Sequence, residues 1–149
     1  GGLAWRPMKS RKVPLLWTLY VAYAWLPLGL GLQFAADLSF ALTGDWALGR
    51  APLHALGIGF LSSLVLAMAT RVTLGHSGRR LIMDRFTVGC FLALQAAAVL
   101  RVASELVQVP AAMLPLVGAA ALSWLAGMLP WALRYGPMLV LPRVDGRPG

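Results

Sequence analysis

Charged residues are sparse along this chain, and they divide it into four apolar runs. No residue is charged from Val13 to Ala36, from Ala51 to Thr70, or from Leu106 to Leu133. Between Arg85 and Arg101 the uncharged stretch is shorter, but the apolar pattern continues past Arg101 and Glu105 toward Gln108. A helix crossing the hydrocarbon core of a bilayer needs roughly 20 residues. The second run fits that length, the first and fourth exceed it, and the third fits only when Arg101 is taken into the membrane. Lipid offers no partner to open backbone groups, so helices are the expected form. No segment shows the alternation of a membrane barrel strand. The pattern predicts an all-α membrane protein: one domain, a bundle of four transmembrane helices with short loops, over about 13–36, 51–70, 86–108 and 110–133.

The faces of these helices carry a second pattern. Ala55, Gly59, Ser63 and Ala67 recur every four residues in the second span. Gly89, Ala93 and Ala97 do so in the third, and Ala119, Ser123 and Gly127 in the fourth. Small residues at this spacing let helix backbones approach closely, so packing is the expected role. The third stripe leads into Arg101 and Glu105, which turns both toward other helices rather than lipid. Gly59 and Gly89 are expected at helix contacts. Pro27, inside the first span with Gly29 and Gly31 nearby, is expected to kink it.

Composition sharpens the class. Of 149 residues, 59% are hydrophobic and 12% charged, with five acids. A soluble domain runs near 45–50% and 25%, so an ordinary charged surface is not available here, and disorder is excluded by the hydrophobicity. A single cysteine rules out a disulfide framework, a four-cysteine zinc site and a covalent c-type haem motif. The net charge of +8 follows membrane topology. Eleven of the 13 Lys and Arg residues fall on one side of a four-span arrangement: Arg6, Lys9, Arg11 and Lys12, then Arg71, Arg79, Arg80 and Arg85, then Arg134, Arg143 and Arg147. The positive-inside rule places both termini of this multi-pass arrangement in the cytoplasm. No nucleic acid partner is expected, because these flanks form no compact basic groove; the lipid bilayer is the expected partner. Trp5, Trp17, Trp46 and Trp131 lie near the expected interfaces. The chain begins Gly-Gly with no readable signal peptide, and it reads as the final part of a longer polytopic protein, whose amino-terminal spans would be a further partner.

Ionisable groups within a membrane are expensive and point to function. Arg101 and Glu105 are spaced for an i, i+4 pair snorkelling to the surface; the alternative is an Arg101 aimed at an anionic group inside the bundle, such as a haem propionate. His54, at the outer end of the second span, shares their depth. It either hydrogen-bonds another helix or ligates a metal or haem, since neutral imidazole is a common ligand. His76 lies 22 residues further on, about 33 Å along a straight helix. The two histidines therefore belong to opposite sides and cannot share one metal without a re-entrant loop. His76 stands in a turn-like Leu74-Gly75-His76-Ser77-Gly78-Arg79 stretch, where a solvated turn histidine is the default and metal binding the alternative. Cys90 reads as a small buried group. The six Met residues show no paired spacing for copper, and no catalytic triad, carboxylate pair or phosphate loop can be assembled.

The stretch His54-Ala55-Leu56-Gly57-Ile58-Gly59 and the block Met68-Ala69-Thr70-Arg71-Val72-Thr73-Leu74-Gly75-His76-Ser77-Gly78-Arg79 resemble the signature of the NnrS family. So do Leu100-Arg101-Val102, the tail Arg134-Tyr135-Gly136-Pro137-Met138-Leu139 and the final Pro142 to Gly149. The likeness covers nearly the whole chain and is strongest in the His54–Arg80 block and the tail. Family members are longer proteins of about twelve spans, and this chain resembles their carboxyl-terminal third. The resemblance implies a haem- and copper-containing inner-membrane protein of nitric oxide metabolism, associated with denitrification and nitrosative stress, with nitric oxide as a ligand. Family members are not established as catalysts. His54, Arg71, His76 and Arg101 match motif positions, and the family does not say which of them binds metal. The depth argument favours His54 as an axial haem ligand, with Arg101 as its propionate partner. A metal-free transport or scaffold bundle is the alternative.

Overall fold

A computed structural model describes residues 14–107, 109–142, 144 and 146. The described residues form four long helices and no strand: α1 (Pro14–Thr43), α2 (Ala51–His76), α3 (Arg85–Leu106) and α4 (Pro110–Val140). All four are long and apolar enough to cross a membrane, and the chain is a multi-pass membrane protein. The basic residues Arg6, Lys9, Arg11, Lys12, Arg143 and Arg147, with Trp5 and Gln108, lie outside the described residues.

The helices outrun the uncharged stretches. α1 continues through Asp37 to Thr43, α2 through Arg71 to His76, and α4 beyond Arg134 to Val140. A charge ends an apolar run because its side chain must reach water, but the backbone continues its hydrogen bonds regardless. His76 is accordingly the last residue of α2, not part of a solvated turn. The turn follows at Ser77 and Gly78, where Gly78 takes a positive φ of 71°. α1 runs unbroken through Pro27, and α4 through Pro115, Pro130 and Pro137.

Local chemistry sets the helix ends. Asp84 caps α3: its Oδ1 accepts from the Thr87 N–H at 3.0 Å and the Thr87 hydroxyl at 2.7 Å, satisfying donors that the first helical turn leaves open. Prolines stand in the first turns of α2 and α4, where their missing N–H costs nothing.

α2 and α3 occupy the centre. α1 packs along α2, and α4 packs most extensively along α3. The core is Leu66 of α2 with Cys90, Phe91 and Leu94 of α3 and Met83 from the preceding loop, flanked by Trp17, Val21, Val88, Met128 and Trp131. Trp17 and Trp131 therefore turn inward: Trp17 meets Phe91 edge-on at 5.8 Å, and the Trp131 indole donates to Thr70 Oγ1 at 2.8 Å.

The second-span stripe packs as expected, since Ala55, Gly59, Ser63 and Ala67 are all buried. A Cβ on Gly59 would collide with the Trp25 ring of α1, and one on Gly127 would stand 2.7 Å from the Cys90 carbonyl oxygen. Gly89 corrects the expectation. It is exposed, and a Cβ there would meet nothing within 4 Å. Four residues advance an α-helix by about 40° beyond a full turn, so a stripe that reaches inward-facing Ala97 and Arg101 must begin on the outer face at Gly89.

Candidate functional site

The second-span stripe stays inward for a reason the sequence pattern does not show. Ala55–Ser62 forms a π-helix inside α2, beginning directly after His54. A π turn closes i to i+5 and takes more than four residues, so a four-residue spacing runs nearly straight along it. Ser62 and Ser63 donate their hydroxyls to the carbonyls of Gly57 and Ile58, five residues back, at 3.0 and 3.5 Å. Gly59, within the π segment, leaves room for the Trp25 ring of α1. Such insertions occur frequently at functional sites.

The polar groups at this end of the bundle converge on Glu105. Arg101 Nη1 lies 2.7 Å from Glu105 Oε1 and donates to Ser104 Oγ at 2.7 Å. His54 Nε2 lies 3.5 Å from the same Oε1. The backbone N–H of Arg50, which opens α2, donates to Oε2 at 3.1 Å. The preceding turn makes this approach possible. Leu48 and Gly49 take positive φ values of 71° and 49°, and a Cβ on Gly49 would stand 2.7 Å from Oε2. The carboxylate thus sits at the amino end of α2, where a helix favours negative charge. Side-chain exposure is 11% for Glu105, 20% for Arg101 and 22% for His54.

The i, i+4 pair weighed from the sequence is therefore present, and His54 stands beside it, as the shared depth predicted. An Arg preceding a Glu by four residues is the weaker order on an isolated helix, so the Arg50 amide and His54 give the carboxylate its tertiary setting. The His54 contact has ion-pair distance without hydrogen-bond geometry: Nε2 is buried and has no hydrogen-bond partner.

His76 is at the opposite end of α2, exposed, along an open cleft with Met68, Arg71, Val72, Gly75 and Leu81. α2 separates the two histidines along its length, as the residue count required. Among the described residues, no group of three His, Cys, Asp or Glu side chains could hold a metal. Cys90 is buried against the core.

Two polar crosslinks were not singled out from the sequence. Trp25 Nε1 donates to Gln95 Oε1 at 2.7 Å, and Gln95 Nε2 donates to Ser63 Oγ at 2.6 Å, tying α1, α3 and α2 together. Gln95 is the lone amide within the third apolar run, and that isolation was the available signal. At the His76 end, Arg134 of α4 pairs with Asp84 and lies 4.8 Å over the Phe86 ring, while Thr87 and Tyr135 share a 2.7 Å hydroxyl contact. Partial burial works to raise the Asp84 pKa, but the Thr87 hydrogen bonds and the Arg134 guanidinium outweigh it and hold the carboxyl below its ordinary value.

The family model described as NnrS protein matches residues 2–143. The chain belongs to the NnrS family. Within this family member the His54–Gly59 stretch forms the start of the π-helix and its approach, and the Met68–Arg79 stretch forms the His76 end of α2 and the turn after it. Neither a curated protein nor a solved structure matches the chain.

Proposed function

We propose that this NnrS-family chain forms part of a haem-containing membrane protein that handles nitric oxide, in which His54 would hold the iron and Arg101 would pair with a cofactor carboxylate. The observation that supports it is the unpaired, buried Nε2 of His54. Buried polar atoms are almost always hydrogen-bonded, and a free imidazole nitrogen in a bundle has the donor character haem iron requires. Glu105 Oε1 faces this same Nε2 at 3.5 Å, so the carboxylate adjoins the ligand position and not the second ring nitrogen. Arg101 spends Nη1 on Glu105 and Ser104, so Nε and Nη2 remain for an anion in the planar fork geometry of a guanidinium. Haem iron, when bound, supplies reversible nitric oxide ligation. The chain's own part is to present an imidazole, fix it beside a carboxylate and keep it from bulk water.

Copper fits less well. One haem ligand can suffice, but a copper site gathers several donors, and no described group of three exists. His54 and His76 cannot be joint ligands, and no step is assigned to copper.

The metal-free bundle is the second reading. It is favoured by the Trp25–Gln95–Ser63 and Trp131–Thr70 crosslinks, which spend membrane polar groups on helix association. Metal analysis and an optical spectrum of the native protein purified from its membrane separate the two. A haem Soret band that shifts on adding nitric oxide is expected. A protein free of iron, with no visible band, would establish the metal-free reading instead.

A further inference from the structure

The open cleft at the His76 end of α2 encloses about 460 Å³. Met68, Arg71, Val72, Gly75 and His76 line it from α2, and Leu81 of the following loop completes the wall. Gly75 keeps it open: a Cβ there would meet only Leu81 Cδ2, at 3.9 Å. That volume lies within the range of small-molecule sites, which pair apolar walls with a few placed polar groups. Here the polar groups are a guanidinium and an imidazole. The apolar lining runs on beyond the cleft. Val65, Met68 and Val72 are all exposed, and their spacing puts them on one face of α2, leading from Arg71 toward the middle of the helix.

Charge at this end is one-sided. Among the described residues, Arg71, Arg79, Arg80, Arg85 and Arg134 stand against Asp84, and Arg134 already occupies Asp84. Over the whole sequence this side carries eleven Lys and Arg residues and two acids, Asp84 and Asp145. No acid lines the cleft, and Arg71 makes no ion pair among the described residues. The carboxyl end of α2 brings about half a negative charge, less than Arg71 alone. Arg71 lies five residues before the end of α2 at His76, about 7.5 Å along the axis, so its long side chain reaches the level of lipid headgroups. Basic pockets between membrane helices bind anionic headgroups. We propose that this cleft is a site for an anionic phospholipid, with its phosphate on Arg71 and His76 and one acyl chain along Val72, Met68 and Val65. The apolar face selects a lipid over a free anion, which would use the charged rim and leave that face bare. The site lies at the opposite end of α2 from His54 and does not rest on the haem reading.

The test is photocrosslinking of the native protein in phosphatidylcholine vesicles that carry a small fraction of phosphatidylglycerol or of phosphatidylethanolamine, each with a diazirine in its acyl chain. Leu92, exposed at a similar depth on α3, serves as the reference. Phosphatidylglycerol is expected to label Val65 and Met68 about tenfold more than Leu92, the gain of one charge-assisted hydrogen bond. Phosphatidylethanolamine should label the two faces alike. Arg71→Gln should erase the preference. Gly75→Trp should erase it by filling the cleft with Arg71 intact; Gly75 is exposed and meets little around it, so the core is not disturbed. Equal labelling of Val65 and Met68 by the two lipids overturns the proposal, as does a preference that survives Gly75→Trp. Displacement of the lipid by inorganic phosphate at matched ionic strength would assign the cleft to a free anion and overturn it as well.

Discussion

At the scale of single residues, Glu105 is the group on which the polar cluster at the amino end of α2 turns. It receives Arg101, the Arg50 amide and the approach of His54 within one carboxylate. Removing one member of a buried pair costs more than the pair contributes, because the survivor is left uncompensated. Glu105→Ala is therefore expected to destabilise by on the order of 3 kcal/mol, read as a lowered thermal midpoint in detergent. Arg101→Met combined with Glu105→Leu should recover part of that loss, since neither charge then remains. Asp84 is a milder case. Its carboxyl is held below the ordinary value, so its stabilisation is fully present above that value and is lost as pH falls through the depressed one. Both Asp84 and Arg134 are about 40% exposed, which screens the pair to within about 1 kcal/mol. Asp84→Asn keeps a capping side chain and removes the charge. Its expected effect is to lower stability at neutral pH by up to about 1 kcal/mol and to match the wild type in acid, so that the acid limb of the stability-against-pH curve is flatter.

At the scale of elements, glycines decide how closely the helices approach. Gly59→Leu and Gly127→Leu should each sharply lower the yield of folded protein, because a side chain would drive into Trp25 or into the α3 backbone. Gly89→Leu should be tolerated, since it points into open space. Size-exclusion profiles of the three variants check this ordering. The four helices were legible in the sequence because burial in lipid leaves long uncharged runs. The pairing of Arg101 with Glu105 and the depth of His54 were legible from helical spacing alone. The π-helix was not, because it is a change of backbone hydrogen-bond register, accompanied by side-chain hydroxyl bonds from Ser62 and Ser63 five residues back, which hydropathy does not register. Nor was the outward position of Gly89, because a four-residue spacing was read as a fixed face although it rotates steadily around an α-helix. The helical position of His76 was hidden by Gly75, Ser77 and Gly78, which read as a turn but sit at the helix end.

At the scale of the whole molecule, α2 carries a histidine at each end, and the distribution of Lys and Arg predicts which end faces the cytoplasm. Single cysteines introduced at Gly44 and Gly78, in a Cys90→Ala background, should behave oppositely toward a membrane-impermeant reagent added outside intact cells. Labelling at 44 and protection at 78 is the expected result; the reverse would invert the orientation. The proposed role of this chain in nitric oxide chemistry rests on His54 rather than His76 as the ligand. The most direct measurement is the optical spectrum of the native haem-loaded protein carrying His54→Ala or His76→Ala, each purified by the same protocol. His54→Ala should remove or shift the haem bands, and His76→Ala should leave them as in the wild type. Haem lost in His76→Ala and retained unshifted in His54→Ala would contradict the assignment.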